Sequence, residues 1–134
     1  MNVKIDTKEK FHVITVAEAT LSASMTEELA GQLLPYLQND VSGQENPVKN
    51  IVLRMTEVQN VDLAAAEQLA KIQQQFYENG ASFVICELQQ AVEDFLDQQE
   101  LLEMMNVTPT ESEAWDIVQM EEMEREMFGD EEAE

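Results

Sequence analysis

The sequence predicts an α/β domain with a mixed sheet: an N-terminal hairpin, then parallel strands, with helices packed mainly on one face. Three observations carry this expectation. Ile51-Val52-Leu53-Arg54-Met55 and Phe83-Val84-Ile85-Cys86 are short, nearly continuous apolar runs, as in interior strands buried on both faces. Between them Ala65, Leu69, Ile72 and Phe76 fall at helical spacing, which makes a right-handed strand–helix–strand unit. Ahead of both runs stand two strand-like segments joined by the short polar break Lys8-Glu9-Lys10.

The elements follow in order. Val3, Ile5 and Thr7 alternate with polar residues, the pattern of a half-buried strand. Phe11-His12-Val13-Ile14-Thr15-Val16 is the second strand of the hairpin. Ser24 and Glu27 have the spacing of a capping box, and Leu29, Leu33, Leu34 and Leu37 supply the apolar face of the helix it would start. Pro35 cannot donate a helical hydrogen bond and should kink or shorten that helix. Asn39 to Pro47 is a polar loop containing Ser42-Gly43. After the first buried run, Asp62 can cap the central helix and Asn79-Gly80 can close it. Leu88, Val92, Phe95 and Leu96 line a third helix, and Met104 to Val107 is expected as a short last strand. Thr110 and Glu113 form a second capping box before a final helix carrying Trp115, Ile117, Val118, Met120, Met123 and Met127. The order is β-β-α-β-α-β-α-β-α, with no internal repeat.

At 134 residues the chain has room for one domain with a real core. Residues 1–120 form the expected domain. Residues 121–134 read as an acidic, Met- and Glu-rich extension, disordered from Asp130 onward. Cys86 is the only cysteine, so no intrachain disulfide forms, which suits a reducing compartment. Met1 to Asp6 has no charged start followed by an apolar run, and no stretch is long enough to span a bilayer. A cytoplasmic location without membrane insertion is expected. The net charge of −21 disfavours nucleic acid and anionic membrane as partners and favours a basic protein surface. Eleven acids and one base, Arg125, fall between Glu111 and Glu134. Solubility alone can account for a dense tail of one sign.

The element order, with an aspartate at the junction after the third strand, resembles the STAS domain, the fold of bacterial anti-sigma factor antagonists. Glu18 to Leu29 is similar to the family's loop into its first helix. Asn50 to Met55 resembles its buried third strand, and Glu78 to Cys86 its following turn and fourth strand. Phe95-Leu96 through Glu103 resembles the segment before its last strand. The family's functional motif is Asp-Ser/Thr-Ser-Gly at the start of the second helix. A partner kinase, itself the anti-sigma factor, phosphorylates the first hydroxyl there and the antagonist lets go. The matching stretch here is Asp62-Leu63-Ala64-Ala65, in which only the aspartate survives. Leu63 stands where the hydroxyl belongs and cannot accept a phosphoryl group. The resemblance therefore implies a partner-binding surface at Val61, Asp62, Leu63, Ala64 and Ala65, bordered by Ser22 and Ser24, without phosphorylation at Leu63.

Each of these residues also has a plainer reading. Asp62 serves as a helix cap, and Leu63 either meets a partner or folds inward as core. Ser22, Ser24 and Thr26 are alternative phosphorylation sites or ordinary loop and capping residues. His12 has no His, Cys or Asp cluster around it in sequence, and Cys86 reads as a small buried hydrophobe. Beyond Met120 the final helix is either a protein-binding segment or a frayed end. The chain carries no nucleophile motif, no phosphate-binding glycine loop, no calcium loop and no metal-ligand spacing. No enzyme activity, catalytic residue, cofactor or metal is therefore expected. The leading expectation is a regulatory module that binds an anti-sigma factor or kinase-like protein. Open beside it are a STAS subunit that binds the ATPase of a lipid-transporting ABC complex, a small-ligand or nucleotide-binding domain, and an acidic mimic of nucleic acid. A homodimer is also left open.

Overall fold

The computed structural model describes residues 3–8, 10–38 and 49–132; the side chains of residues 38 and 128–132 fall outside that description. The polar loop expected at 39–47 lies outside the described residues. The described residues form seven strands and four α-helices: β1 (Val3–Thr7), β2 (Phe11–Val16), β3 (Thr20–Leu21), α1 (Ala23–Leu33), β4 (Asn50–Arg54), β5 (Asn60–Val61), α2 (Leu63–Glu78), β6 (Phe83–Cys86), α3 (Gln90–Gln98), β7 (Val107–Thr108) and α4 (Glu111–Glu132). Five strands form the main sheet in the order β1-β2-β4-β6-β7. β1 pairs antiparallel to β2, with Ile5 opposite Ile14. Every other neighbour in that sheet is parallel. The expected hairpin and parallel strands are both present.

Parallel strands bury both faces, and the two runs do so. Ile51 and Leu53 of β4, with Phe83 and Ile85 of β6, face one core together with Leu29, Leu33, Leu69, Ile72, Phe76, Val92 and Leu96 from α1, α2 and α3. Val52, Val84 and Cys86 face the other side, where Ala114 and Val118 of α4 meet Phe11 and Val13. Three helices thus cover one face and one covers the other.

Local chemistry sets the ends of the helices. Pro35 ends α1 at Leu33, and the chain continues as a 3-10 turn over Leu34–Gln38. Asp62 caps α2, its Oδ1 accepting from the Ala65 N–H at 2.7 Å. Asn79 ends that helix, and Gly80 takes a φ of 73°, a left-handed conformation that favours glycine. Thr110 Oγ1 accepts from the Glu113 N–H at 3.2 Å ahead of α4.

Three expectations are corrected. α1 starts two residues early: Ser22 is its N-cap position, and its hydroxyl meets the Ser24 hydroxyl at 3.2 Å instead of a backbone N–H. The β3 pairing fixes the chain before that point. Leu88 precedes α3, which starts at Gln90, yet it still packs on the core. The last strand is Val107–Thr108, because Leu102–Met104 wind into a 3-10 turn after the left-handed Glu100 (φ 60°). The backbone of α4 is helical through Glu132; residues 133–134, the end of the extension expected to be disordered from Asp130, lie outside the described residues. α4 crosses position 120 without interruption.

Candidate functional site

Two very short strands decide the site. β3 and β5 pair in parallel, Thr20 with Asn60 and Leu21 with Val61. Each leads directly into a helix, β3 into α1 and β5 into α2. The Asp62 N–H then donates to the Leu21 carbonyl at 3.2 Å, so the N-cap positions Ser22 and Asp62 lie side by side. α1 and α2 start together. Buried Thr26 of α1 hydrogen-bonds Gln68 of α2 one turn further on, which locks the helix pair.

Val61 and Ala65 were expected at the contact surface. Their side chains are buried in the core beneath α1 and α2. They support the surface and do not present side chains on it. Asp62, Leu63 and Ala64 are exposed. Leu63, left between core and surface by the sequence, retains 45% of its accessible area. The helix phase explains this: Ala65, Leu69, Ile72 and Phe76 set the buried direction, and Leu63 lies roughly 140° round from it at ~100° per residue. That phase was legible in the sequence. Ser24 is exposed and Ser22 is half-buried. Exposed Thr20 and Asn60 border the same surface. Sequence reading missed them, because two-residue strands are too short for an alternating pattern.

Asp62 is engaged in capping, Leu63 adds apolar area, and Ala64 keeps the backbone open to a close approach. Among the described residues, no group of three His, Cys, Asp or Glu side chains gathers where it could hold a metal ion. The remaining candidates lie elsewhere. His12 is buried, stacked on Tyr36 with ring centroids 4.3 Å apart, and its Nδ1 meets the Thr7 hydroxyl at 2.8 Å. Cys86 lies beneath α4; burial, then the Glu87 and Glu111 carboxylates, push its thiol up to about 12. It is a protonated core residue at neutral pH. Glu87 itself holds a left-handed φ of 58° beyond β6, where its carboxylate accepts from the Thr56 hydroxyl at 3.1 Å and meets Arg54 Nε at 3.4 Å. These contacts pin the turn into α3.

The STAS domain family model matches residues 3–114. The chain belongs to the STAS domain family. Solved structures agree on the fold. A Ser-to-Glu variant of RsbS from Moorella thermoacetica is 21% identical, with a TM-score of 0.69 over 89% of this chain and 96% of its own. An anti-sigma-factor antagonist (STAS) domain protein from Planctomyces limnophilus is 15% identical, with a TM-score of 0.69 over 87% of this chain and 97% of its own. The murine anion transporter Slc26a9 contains a similar unit: TM-score 0.63, 17% identity, 82% of this STAS chain but 18% of the transporter. Among curated proteins, none matches the chain in sequence. Among the described residues, no helix of this STAS domain is long and apolar enough to cross a membrane.

Proposed function

We propose that this STAS domain is a non-enzymatic regulatory protein that binds a kinase-like anti-sigma factor through the paired N-termini of α1 and α2. The observation that carries the reading is the β3–β5 pairing, which sets the two helix starts side by side, with Leu63 exposed there between capping Asp62 and Ala64. The part of Leu63 that stays in water does not contribute to the core. It gains free energy only when a partner removes it from water, roughly 25 cal/mol per Å² of apolar area. The likeness of fold to an anti-sigma-factor antagonist domain protein supports the choice of partner class.

Regulation then differs from the family's. Leu63 offers no oxygen for phosphoryl transfer, so the contact is constant and is set by abundance or by another site. A phosphate on Ser24, exposed beside the same surface, would add roughly −1.5 to −2 charge there. The test is capture from native lysate with wild type and Leu63→Glu, followed by mass spectrometry. The wild type should recover a kinase-like anti-sigma factor. The variant should lose it while keeping its unfolding midpoint. Retention of the same partner by the variant removes this surface from the interface. Recovery of a transporter ATPase by the wild type would move the domain to the transporter class.

A further inference from the structure

Exposed Met120, Met123 and Met127 recur at helical spacing in α4 and keep 59%, 62% and 66% of their accessible area. They form one stripe. Ala114 and Val118, which pack on the sheet, lie about 180° round the helix at ~100° per residue. The stripe therefore points straight away from the body of the domain. Asp116, Glu124 and Glu126 are exposed beside it.

A frayed helix end would not hold such a stripe in place, but this one is fastened. Tyr77 donates its hydroxyl hydrogen to the Glu121 carboxylate, at 2.8 Å to Oε1 and 2.9 Å to Oε2, and accepts from Asn106 Nδ2 at 2.7 Å. Arg125 donates to Ser82 Oγ at 2.9 Å and to Asn50 Oδ1 at 3.3 Å. Asn50 Nδ2 donates to Glu122 Oε1 at 2.7 Å. Asn50 and Ser82 are both buried. Three polar residues on the inner face thus clamp the same turns whose outer face carries the methionines.

We infer that the outer face of α4 is a second docking surface, and that its occupant is a basic amphipathic helix of a partner protein. Charge decides the occupant. The stripe is apolar and its rims carry carboxylates, so the complementary surface is an apolar seam flanked by Lys or Arg. A second copy of this chain carries a net charge of −21 and would be repelled. Anionic membrane is repelled for the same reason. Methionine side chains are unbranched and adapt to varied seams, which suits packing of one helix against another. The surface lies on the opposite face of the sheet from α1 and α2, and it is independent of what binds at Leu63.

The test uses the full chain with methyl-labelled methionine and a synthetic amphipathic helix of leucine and lysine. On titration the methyl signals of Met120, Met123 and Met127 should shift, while those of buried Met55 and Met105 stay. The triple variant Met120→Ser/Met123→Ser/Met127→Ser should bind at least tenfold more weakly with an unchanged unfolding midpoint. Leu63→Glu should bind as wild type does, which separates this surface from the one proposed above. A control peptide with the leucines replaced by serine should also bind at least tenfold more weakly. Equal binding of that control, full binding by the triple variant, shifts confined to the α1–α2 face, or no binding at all would overturn the inference. So would self-association of the free chain lost in the triple variant, because the occupant would then be a second copy.

Discussion

The two faces of the sheet are covered by different physics. Beneath α1, α2 and α3 lies a thick apolar layer built from large side chains, among them Phe76, Phe83, Leu29, Leu53 and Leu69. Beneath α4 the layer is thin: Ala114 and Val118 rest on Phe11, Val13, Val52, Val84 and Cys86, with Trp115 and Ile117 at the margin. Apolar burial scales with area, so it holds the first face amply and the second sparingly. Past Val118, α4 buries no further apolar side chain among its described residues. Its next turns are held by hydrogen bonds to Tyr77, Asn50 and Ser82 instead. The thick layer fixes the helix pair whose starts carry Leu63, and the polar clamp lets a solvated acidic helix lie still.

The comparison can be broken by substitution. Phe76→Ala removes a fully buried ring that packs on Phe83 with centroids 5.3 Å apart. It should cost about 3–5 kcal/mol in urea unfolding and give the largest loss. Raising the pH attacks the other face. Burial and then the Glu121 hydrogen bond raise the Tyr77 phenol well above its ordinary value, and Cys86 is pushed up to about 12. Both groups hold their protons more tightly when folded. Their contribution is complete below the unfolded values, near 9 and 10, and is lost as pH rises through the folded ones. The urea midpoint should therefore fall steadily above pH 9, and Tyr77→Phe should remove part of that fall.

Asn50→Ala strips the clamp of its centre and leaves the Ser82 N–H, now bonded to Asn50 Oδ1 at 2.8 Å, buried without a partner. A loss of about 1–3 kcal/mol is expected, with faster amide exchange in residues 121–127. If exchange there is unchanged, the clamp does not hold α4. Asp62→Ala removes the α2 cap and should cost about 1 kcal/mol, while Asp62→Asn should retain most of it. The smallest effect on stability belongs to Leu63→Glu, within about 0.5 kcal/mol, because the side chain is exposed and bonds nothing. A larger loss would mean that Leu63 is part of the thick core.

Much of the fold could be read from residue spacing. Helical repeats at Ala65, Leu69, Ile72 and Phe76 and the buried runs at 51–55 and 83–86 reflect local periodicity, which a chain carries wherever it folds. The Asp62 cap and the Pro35 stop were legible for the same reason: each acts within a turn of itself. The candidate site was half legible. Its proposed place was read from the motif position, and the structure adds that the Val61 and Ala65 side chains face the core.

By itself the sequence determined that this chain folds as an α/β domain with a capped second helix, and that no hydroxyl stands at position 63. Those properties are local and covalent. Only the tertiary structure decided that the starts of α1 and α2 lie together, since β3 and β5 gain their meaning from pairing Thr20 with Asn60 and Leu21 with Val61. It alone decided that the acidic helix end is fastened, because Tyr77, Asn50 and Ser82 are distant in sequence and show no pattern until folding brings them under α4.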